Sequence, residues 1–354
     1  LEEWGYVKGY KPTDLAAFKT VSGNQVTADA SGRHQRQSVT SGFAVQPRSV
    51  EPLVYVVLLN WNGWQDTLHC ISSLFGTEYQ NWCALVVDNG STDDSVARLK
   101  ETCPQVPIIE THKNLGFAVG NNLGIHFALK NGADYVFVLN NDTTVMPNTI
   151  SAFVAFAEQH PRTALMGPAI DRRNPQREWP IRRKLDLVTQ ICTFSALRRV
   201  VSRTPIVRNV FYWTGREPAE VEFVSGSALF FRASAFASAG LFDESTFLDF
   251  EELIMAEKVR RAGHSIHFVP QAKIWHKGSA SGAKLRAQRY IENAKSEEYF
   301  FSNYVRLSPI SRSIVRLIRL LTYSARALRY RNYREHFREF VLALHASRSL
   351  PERH

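Results

Sequence analysis

The run Tyr135-Val136-Phe137-Val138-Leu139 ends in three adjacent oxygen-bearing side chains, Asn140, Asn141 and Asp142. An apolar run of this length, rich in Val and Phe, reads as a central strand of a parallel sheet. Ligands of open α/β sheets sit where such strands end. Asp142 is therefore expected to point its carboxylate into a polar cleft, where a hard divalent cation can bridge it to a substrate diphosphate. The same residues also suit a plain turn before the helix after Pro147, and this stretch alone leaves both readings open.

Two further stretches add chemistry of the same kind. In Asp88-Asn89-Gly90-Ser91 the Asp88 carboxylate, acceptor-only, suits the imide N–H of a uracil or thymine. Turn and helix-cap chemistry is the competing reading of that segment. The run Asn114-Leu115-Gly116-Phe117-Ala118-Val119-Gly120-Asn121-Asn122 is expected to open a helix, with Gly116 and Gly120 allowing close approach and free N–H groups favouring an anion. Asn60, Asp88, Asn89, Asn114, Gly116, Asn121 and Asn141 are the candidate nucleotide-binding residues.

These residues need a frame, and the pattern of apolar runs supplies one. Strands are expected over 53–59, 83–87, 106–109 and 135–139, with helices around Leu68 to Phe75, from Ser95, and over 117–129. This βαβα rhythm predicts an α/β fold with a central, mostly parallel sheet and helices on both faces, the nucleotide-binding arrangement. The strands end at Asn60, Asp88 and Asn140, so the polar residues are expected on one edge.

The chain has 354 residues, enough for a large core, and a formal charge of +10 with a pI near 9.5. Residues 306–354 hold eleven Arg against three Glu, which accounts for +8 of that charge. A basic balance calls for an anionic partner: nucleic acid, an anionic membrane or phosphorylated substrates. Cys70, Cys83, Cys103 and Cys192 lack C-x-x-C spacing, which points away from zinc and disulfides and toward a reducing cytosol. No apolar stretch is long enough to span a bilayer or serve as a signal sequence, so neither spanning nor export is expected.

With these signals in order, the chain resembles the family 2 glycosyltransferases, especially bacterial rhamnosyltransferase-like members. The resemblance covers roughly residues 53–305 and rests on VVLLNWNG (56–63), VVDNGSTDDS (86–95), KNLGFAVGNNLGI (113–125), LNNDTTV (139–145), GSALFFR (226–232) and GLFDESTFLDFEELIMAEKVRRAGH (240–264). It implies a GT-A fold, a dTDP- or UDP-sugar donor, Mg²⁺ or Mn²⁺ at the aspartate motif, and inversion at the anomeric carbon. Carried over, Asp88 reads the pyrimidine, Asp142 holds the metal with His276 near it, and the Glu251-Glu252 pair supplies the catalytic base, with Glu252 at the base position. Asn140 stands where relatives often have Asp, and Ile254 where many carry a second Asp.

The expected organisation is an N-terminal extension (1–50), a nucleotide-sugar half (51–165), an acceptor half with the base (166–305) and a basic amphipathic helical tail (306–354). In the tail, Ile314, Leu317, Ile318, Leu321, Ala325 and Leu328 share one face and Arg312, Arg316, Arg319 and Arg326 the other. Two arrangements fit: an interfacial helix on an anionic leaflet, or a helix whose apolar stripe packs on the domain with its Arg residues in water. A second basic stretch, Arg182-Arg183-Lys184 through Arg198-Arg199 and Arg203, suits a lipid-linked acceptor with a diphosphate head. The expected activity is sugar transfer, with rhamnose as the candidate, to a lipid-linked or growing surface glycan at the cytoplasmic face of the membrane. The alternative is a non-catalytic nucleotide-sugar-binding scaffold. A nucleic-acid binder is disfavoured, because the tail pairs its Arg with aliphatic rather than aromatic residues.

Overall fold

A computed structural model of the chain describes residues 51–171, 180, 186–194, 201, 203–213, 215–278 and 286–344. The expected N-terminal extension 1–50, the basic residues Arg182, Arg183, Lys184, Arg198 and Arg199, and the end of the tail (345–354) lie outside the described residues.

Strand β1 (Val54–Asn60) leads through α1 (Trp64–Phe75) to β2 (Trp82–Asp88), then through α2 (Ser95–Thr102) to β3 (Ile108–Glu110). Helix α3 (Gly116–Lys130) returns to β4 (Tyr135–Asn140), a turn at Asn141-Asp142 and β5 (Thr143–Val145), followed by α4 (Thr149–Gln159) and β6 (Thr163–Asp171). Next come α5 (Leu187–Phe194), α6 (Pro205–Phe211), β7 (Ala219–Glu220), β8 (Ala228–Arg232), α7 (Phe236–Ala239), α8 (Glu251–Arg261) and β9 (Ser265–His276). Helices α9 (Arg286–Asn303), α10 (Pro309–Arg329), α11 (Arg331–Glu335) and α12 (Phe337–Ala343) follow.

The described strands form one sheet in the order β3-β2-β1-β4-β8-β6-β9-β5, with β7 on β9. Pairing is parallel from β3 to β4, as the βαβα rhythm requires. Beyond β4 it is mixed, because β8 enters at the carboxyl edge and runs back antiparallel to both β4 and β6. That reversal carries Ser225-Gly226-Ser227 to the edge where β1, β2 and β4 end: Asn140 N donates to Ser227 O at 2.9 Å. The 165/166 division falls inside β6, so both halves share the sheet.

Alternation along the strands builds two cores. Val54, Val56, Leu58 and Phe137 pack with α1 and α4 on one face, while Val57, Leu85, Val136 and Val138 pack with α3 and α8 on the other. On the second face α3 lies unusually close. A methyl on Gly120 would stand 2.5 Å from Leu59 Cδ1, and one on Gly124 2.3 Å from Val57 Cγ1. Gly120 thus gives the close approach expected of it, here of α3 onto β1 at Leu59.

The tail packs the other way round from the domain-packing arrangement considered above. Helix α10 turns its arginines inward onto α9, where Glu297 and Glu298 are buried. Arg316 Nε donates to Glu298 Oε2 at 3.1 Å, Arg312 reaches the same carboxylate, and Arg319 Nε donates to Glu297 Oε2 at 2.7 Å. The buried glutamates supply the reason: a charge out of water needs a partner. Around them Tyr323 stacks on Phe340 at 3.9 Å, and Arg326 lies 4.8 Å from the Tyr290 ring centre. Among the described residues no helix is long and apolar enough to cross a membrane.

Gly124→Ala should lower the unfolding free energy by about 1–3 kcal/mol through overpacking against Val57, despite the better helix propensity of Ala. Urea denaturation measures it, and an unchanged or raised midpoint would show that α3 can lift off the sheet freely.

Candidate active site

Asn60 ends β1 in register with Asp88, both buried, while Asn140 ends β4 one step back, opposite Leu59. Groups withdrawn from water there need hydrogen bonds, and they find them in one another. Asn60 Nδ2 donates to Asp88 Oδ1 at 2.8 Å and to Ser91 Oγ at 3.1 Å, while its Oδ1 accepts from Thr67 Oγ1 at 2.8 Å. Asn141 Nδ2 donates to the same Thr67 hydroxyl at 2.9 Å. The buried Asp88 carboxylate also accepts from Ser91 Oγ at 2.6 Å and Ser91 N at 3.0 Å. It closes the turn at Ser91 without capping a helix, since Asp94 precedes α2, and Oδ2 keeps capacity for another donor.

The third loop is tied to the second. Asn89 Nδ2 donates to Asn114 Oδ1 and to Gly116 O, both at 3.1 Å, and Asn89 Oδ1 accepts from Leu115 N at 3.0 Å. Gly116 N donates to Asn114 Oδ1 at 3.0 Å, and Phe117 N donates to Phe247 O at 3.1 Å. At Leu115, Gly116 and Phe117 the N–H groups expected to be free are instead taken by protein acceptors. Asn121 Nδ2 donates within the helix to Phe117 O at 2.9 Å. Of the seven candidate donor residues, Asp88 presents a carboxylate with spare capacity; Asn60, Asn89, Asn114 and Asn141 use their side chains to hold loops, and Asn121 bonds back along its own helix. Gly116 has φ +84°, and a methyl there would stand 2.8 Å from Phe247 O, so the backbone of this loop abuts the segment before α8.

Asp142 and His276 do meet. Thr143 and His276 are register partners on β5 and β9, and Asp142 Oδ1 lies 3.1 Å from His276 Nε2. Asp142 Oδ2 is buried and has no hydrogen-bond partner among the described residues. An orphaned carboxylate oxygen beside an imidazole nitrogen fits a divalent cation, a group with oxygen and nitrogen preferences. Among the described residues no cluster of three or more His, Cys, Asp or Glu side chains forms a full protein cage, so a cation here would need diphosphate or water oxygens as well. Lys277 continues past His276; its Nζ donates to Asp66 Oδ1 at 2.6 Å, which keeps a cationic side chain at the rim.

The acidic pair divides. Glu251 is buried and Glu252 is partly exposed. Burial, then the neighbouring Glu252 and Asp249 charges, push the Glu251 carboxyl well above its ordinary range, so it prefers the neutral form. Glu252 lies along the Ser225-Ser227 loop: a methyl on Gly226 would stand 3.2 Å from Glu252 Cδ. Glycine there leaves the carboxylate room beside the edge that bears Asn140 to Asp142. The turn leading into α8 is strained, with Asp249 at φ +68° and Phe250 at φ +75°. Helix α9 holds it: Asn293 Nδ2 and Arg289 Nη2 donate to Asp249 at 3.1 and 3.3 Å, and Ser296 Oγ donates to Leu248 O at 3.1 Å.

Sequence reasoning missed Thr67, Asn122 and Asp249. Asn122 grips the loop before α8, accepting from Phe242 N and donating to Phe242 O, both at 3.0 Å. The signal was present, since polar residues inside the apolar contexts of α3 and Phe247-Leu248-Asp249-Phe250 must have buried partners. Their partners were not readable, because they lie far along the chain.

The glycosyl transferase family 2 model matches residues 55–235. An N-acetylglucosaminyl-diphospho-decaprenol L-rhamnosyltransferase of Mycobacterium tuberculosis is 29% identical over 230 residues, covering 62% of this chain and 74% of that protein. A dTDP-rhamnosyl transferase RfbF of Shigella flexneri is 20% identical, covering 63% and 68%. Among solved structures, the mannosyltransferase PcManGT of Pyrobaculum calidifontis with GDP-Man and Mn²⁺ superposes with TM-score 0.52 at 14% identity, over 84% of this chain and 87% of that one. GalNAc-T7 with UDP, GalNAc and Mn²⁺ gives 0.55 at 16%, over 72% of this chain; the match spans 49% of the GalNAc-T7 chain. These likenesses show the GT-A fold.

Glu251→Gln tests the acidic pair. Below the ordinary carboxylate range both folded and unfolded Glu251 hold a proton. As pH rises above that range only the unfolded form ionises, so the native protein loses stability relative to the variant, by up to about 1.4 kcal/mol per pH unit, until the folded carboxyl titrates. Urea midpoints of the two proteins should diverge as pH rises above the ordinary carboxylate range; midpoints that run parallel would mean that Glu251 is ionised in the fold.

Proposed function

Since the chain belongs to glycosyl transferase family 2, we propose that it is an inverting, metal-dependent sugar transferase acting on a nucleotide-diphosphate donor. The observation that carries this reading is the convergence of Asp88, the Asp142–His276 pair and Glu252 around one sheet edge. The names of its relatives support dTDP-rhamnose as donor and a polyprenyl-diphosphate-linked saccharide as acceptor. Such an acceptor places the reaction at the cytoplasmic face of the membrane, on the way to a cell-surface glycan.

In this reading Asp88 accepts the imide N–H of the pyrimidine, held rigid by Asn60 and Ser91. Asp142 and His276 hold Mg²⁺ or Mn²⁺, as the orphaned Oδ2 allows. When bound, that cation offsets negative charge on the diphosphate. Glu252 takes the proton from the acceptor hydroxyl as its oxygen attacks the anomeric carbon from the side opposite the departing nucleotide. Neutral Glu251 behind it keeps the pair from carrying two negative charges. Ser225 and Ser227, hydroxyl to hydroxyl at 3.0 Å, line the approach to Glu252.

Nucleoside diphosphate release from dTDP-, UDP- and GDP-sugars with Mg²⁺ or Mn²⁺, in the presence of lipid-linked acceptor, tests the proposal. Glu252→Gln should lower kcat by about 10²–10⁴ with donor KM little changed, whereas Asp88→Ala should raise donor KM and weaken the preference for pyrimidine nucleotides. Undiminished turnover in Glu252→Gln would move the base elsewhere. Nucleotide binding without turnover of any donor would favour the scaffold alternative.

A further inference from the structure

We infer that the outward face of α10 is a membrane-docking surface that lays an aliphatic stripe into an anionic leaflet. Ile310, Ile314, Leu317, Leu321 and Leu328 recur at steps of four, three, four and seven, and their exposures are 76, 38, 54, 61 and 85%. From Ile310 to Leu328 the stripe runs about 27 Å along the helix. A line of exposed aliphatics of this length on a protein surface marks an interaction site.

Charge decides what covers it. Residues 306–334 contain no Asp or Glu. Arg312, Arg316 and Arg319 are consumed by Glu298 and Glu297 and hold the helix in place from behind. Exposed Arg306 and Arg329 stand at the two ends of the stripe, while Arg326, on the inward side, packs over Tyr290 and Tyr333. Arg331, paired with Glu335, and Arg334 and Arg338 lie just beyond, against exposed Glu339. An apolar strip rimmed by cations complements acyl chains beneath anionic headgroups. Helix α5 touches both α6 and α10, and Val188 on α5 and Ile206, Val207 and Val210 on α6 are exposed too. The stripe is the contact and the inward arginines are its anchor, so the face that meets the bilayer is the one opposite Arg312, Arg316 and Arg319.

This surface gives physical form to the membrane-side location proposed above and rests on that reading for its context. Its test reads binding rather than transfer, so either can fail alone. The intact chain is floated with phosphatidylcholine vesicles, with and without phosphatidylglycerol, beside Leu317→Asp/Leu321→Asp and a control, Phe75→Asp, that alters an exposed apolar residue on α1. The native chain and the control should float with the anionic vesicles and less with the neutral ones. The double variant should partition at least about tenfold less, given what two buried leucines contribute, with an unchanged melting temperature because both positions are exposed. A single Leu321→Trp should show a blue-shifted emission on adding anionic vesicles. Equal flotation of native chain and double variant overturns the proposal, as does a native chain left unbound. A native dimer that the double variant splits, without flotation, overturns it in favour of a second copy on this face.

Discussion

Asn60 is fully buried at the end of the central strand, and its amide has to be satisfied on both sides. Its Nδ2 reaches Asp88 and Ser91 and its Oδ1 takes the Thr67 hydroxyl, to which Asn141 also donates. One side chain therefore joins the loop after β2, the start of α1 and the turn after β4. Asp88 and Asp142, the two carboxylates with spare acceptor capacity at this edge, are fixed relative to one another through it. An unsatisfied partner in such a network costs about 1–3 kcal/mol, enough to hold the loops in one arrangement before any ligand arrives.

From that edge the constraint passes to the acidic pair by close backbone approach. The Asn89–Asn114 bond shapes the third loop, Gly116 brings it against Phe247, and Phe117 N closes the contact on Phe247 O. Shortly afterwards the chain enters α8 through Asp249 and Phe250, both left-handed and pinned by α9. Strain of this kind persists where surroundings over-determine it. Here it aims Glu251 into the protein and leaves Glu252 beside Gly226, so two adjacent glutamates acquire opposite environments.

The C-terminal helices extend the same logic to charge. The glutamates of α9 that stand behind this turn are neutralised from α10, which fixes the direction each face of α10 must take. Arginine faces inward and leucine outward because a buried carboxylate left unpaired costs more than an exposed aliphatic side chain.

Local pattern was enough to read the alternating strands and helices of residues 53–146, the polar ends of those strands and the pairing of an acidic doublet with a helix start. Apolar periodicity and strand-terminal polarity are properties of short segments, and six motifs in order carry the family resemblance. Folding in three dimensions was needed to make Asn89 and Asn114 braces between loops, to occupy the N–H groups at Gly116 and Phe117, and to reverse β8 so that Gly226 meets Glu252. It was needed, too, to turn the α10 arginines inward. Apart from the Gly116 N–H, which turns to Asn114, each of these depends on a partner 14 to 130 residues away, such as Phe247 for Phe117 or Glu298 for Arg312 and Arg316, and periodicity carries no information about which distant group a polar side chain will meet.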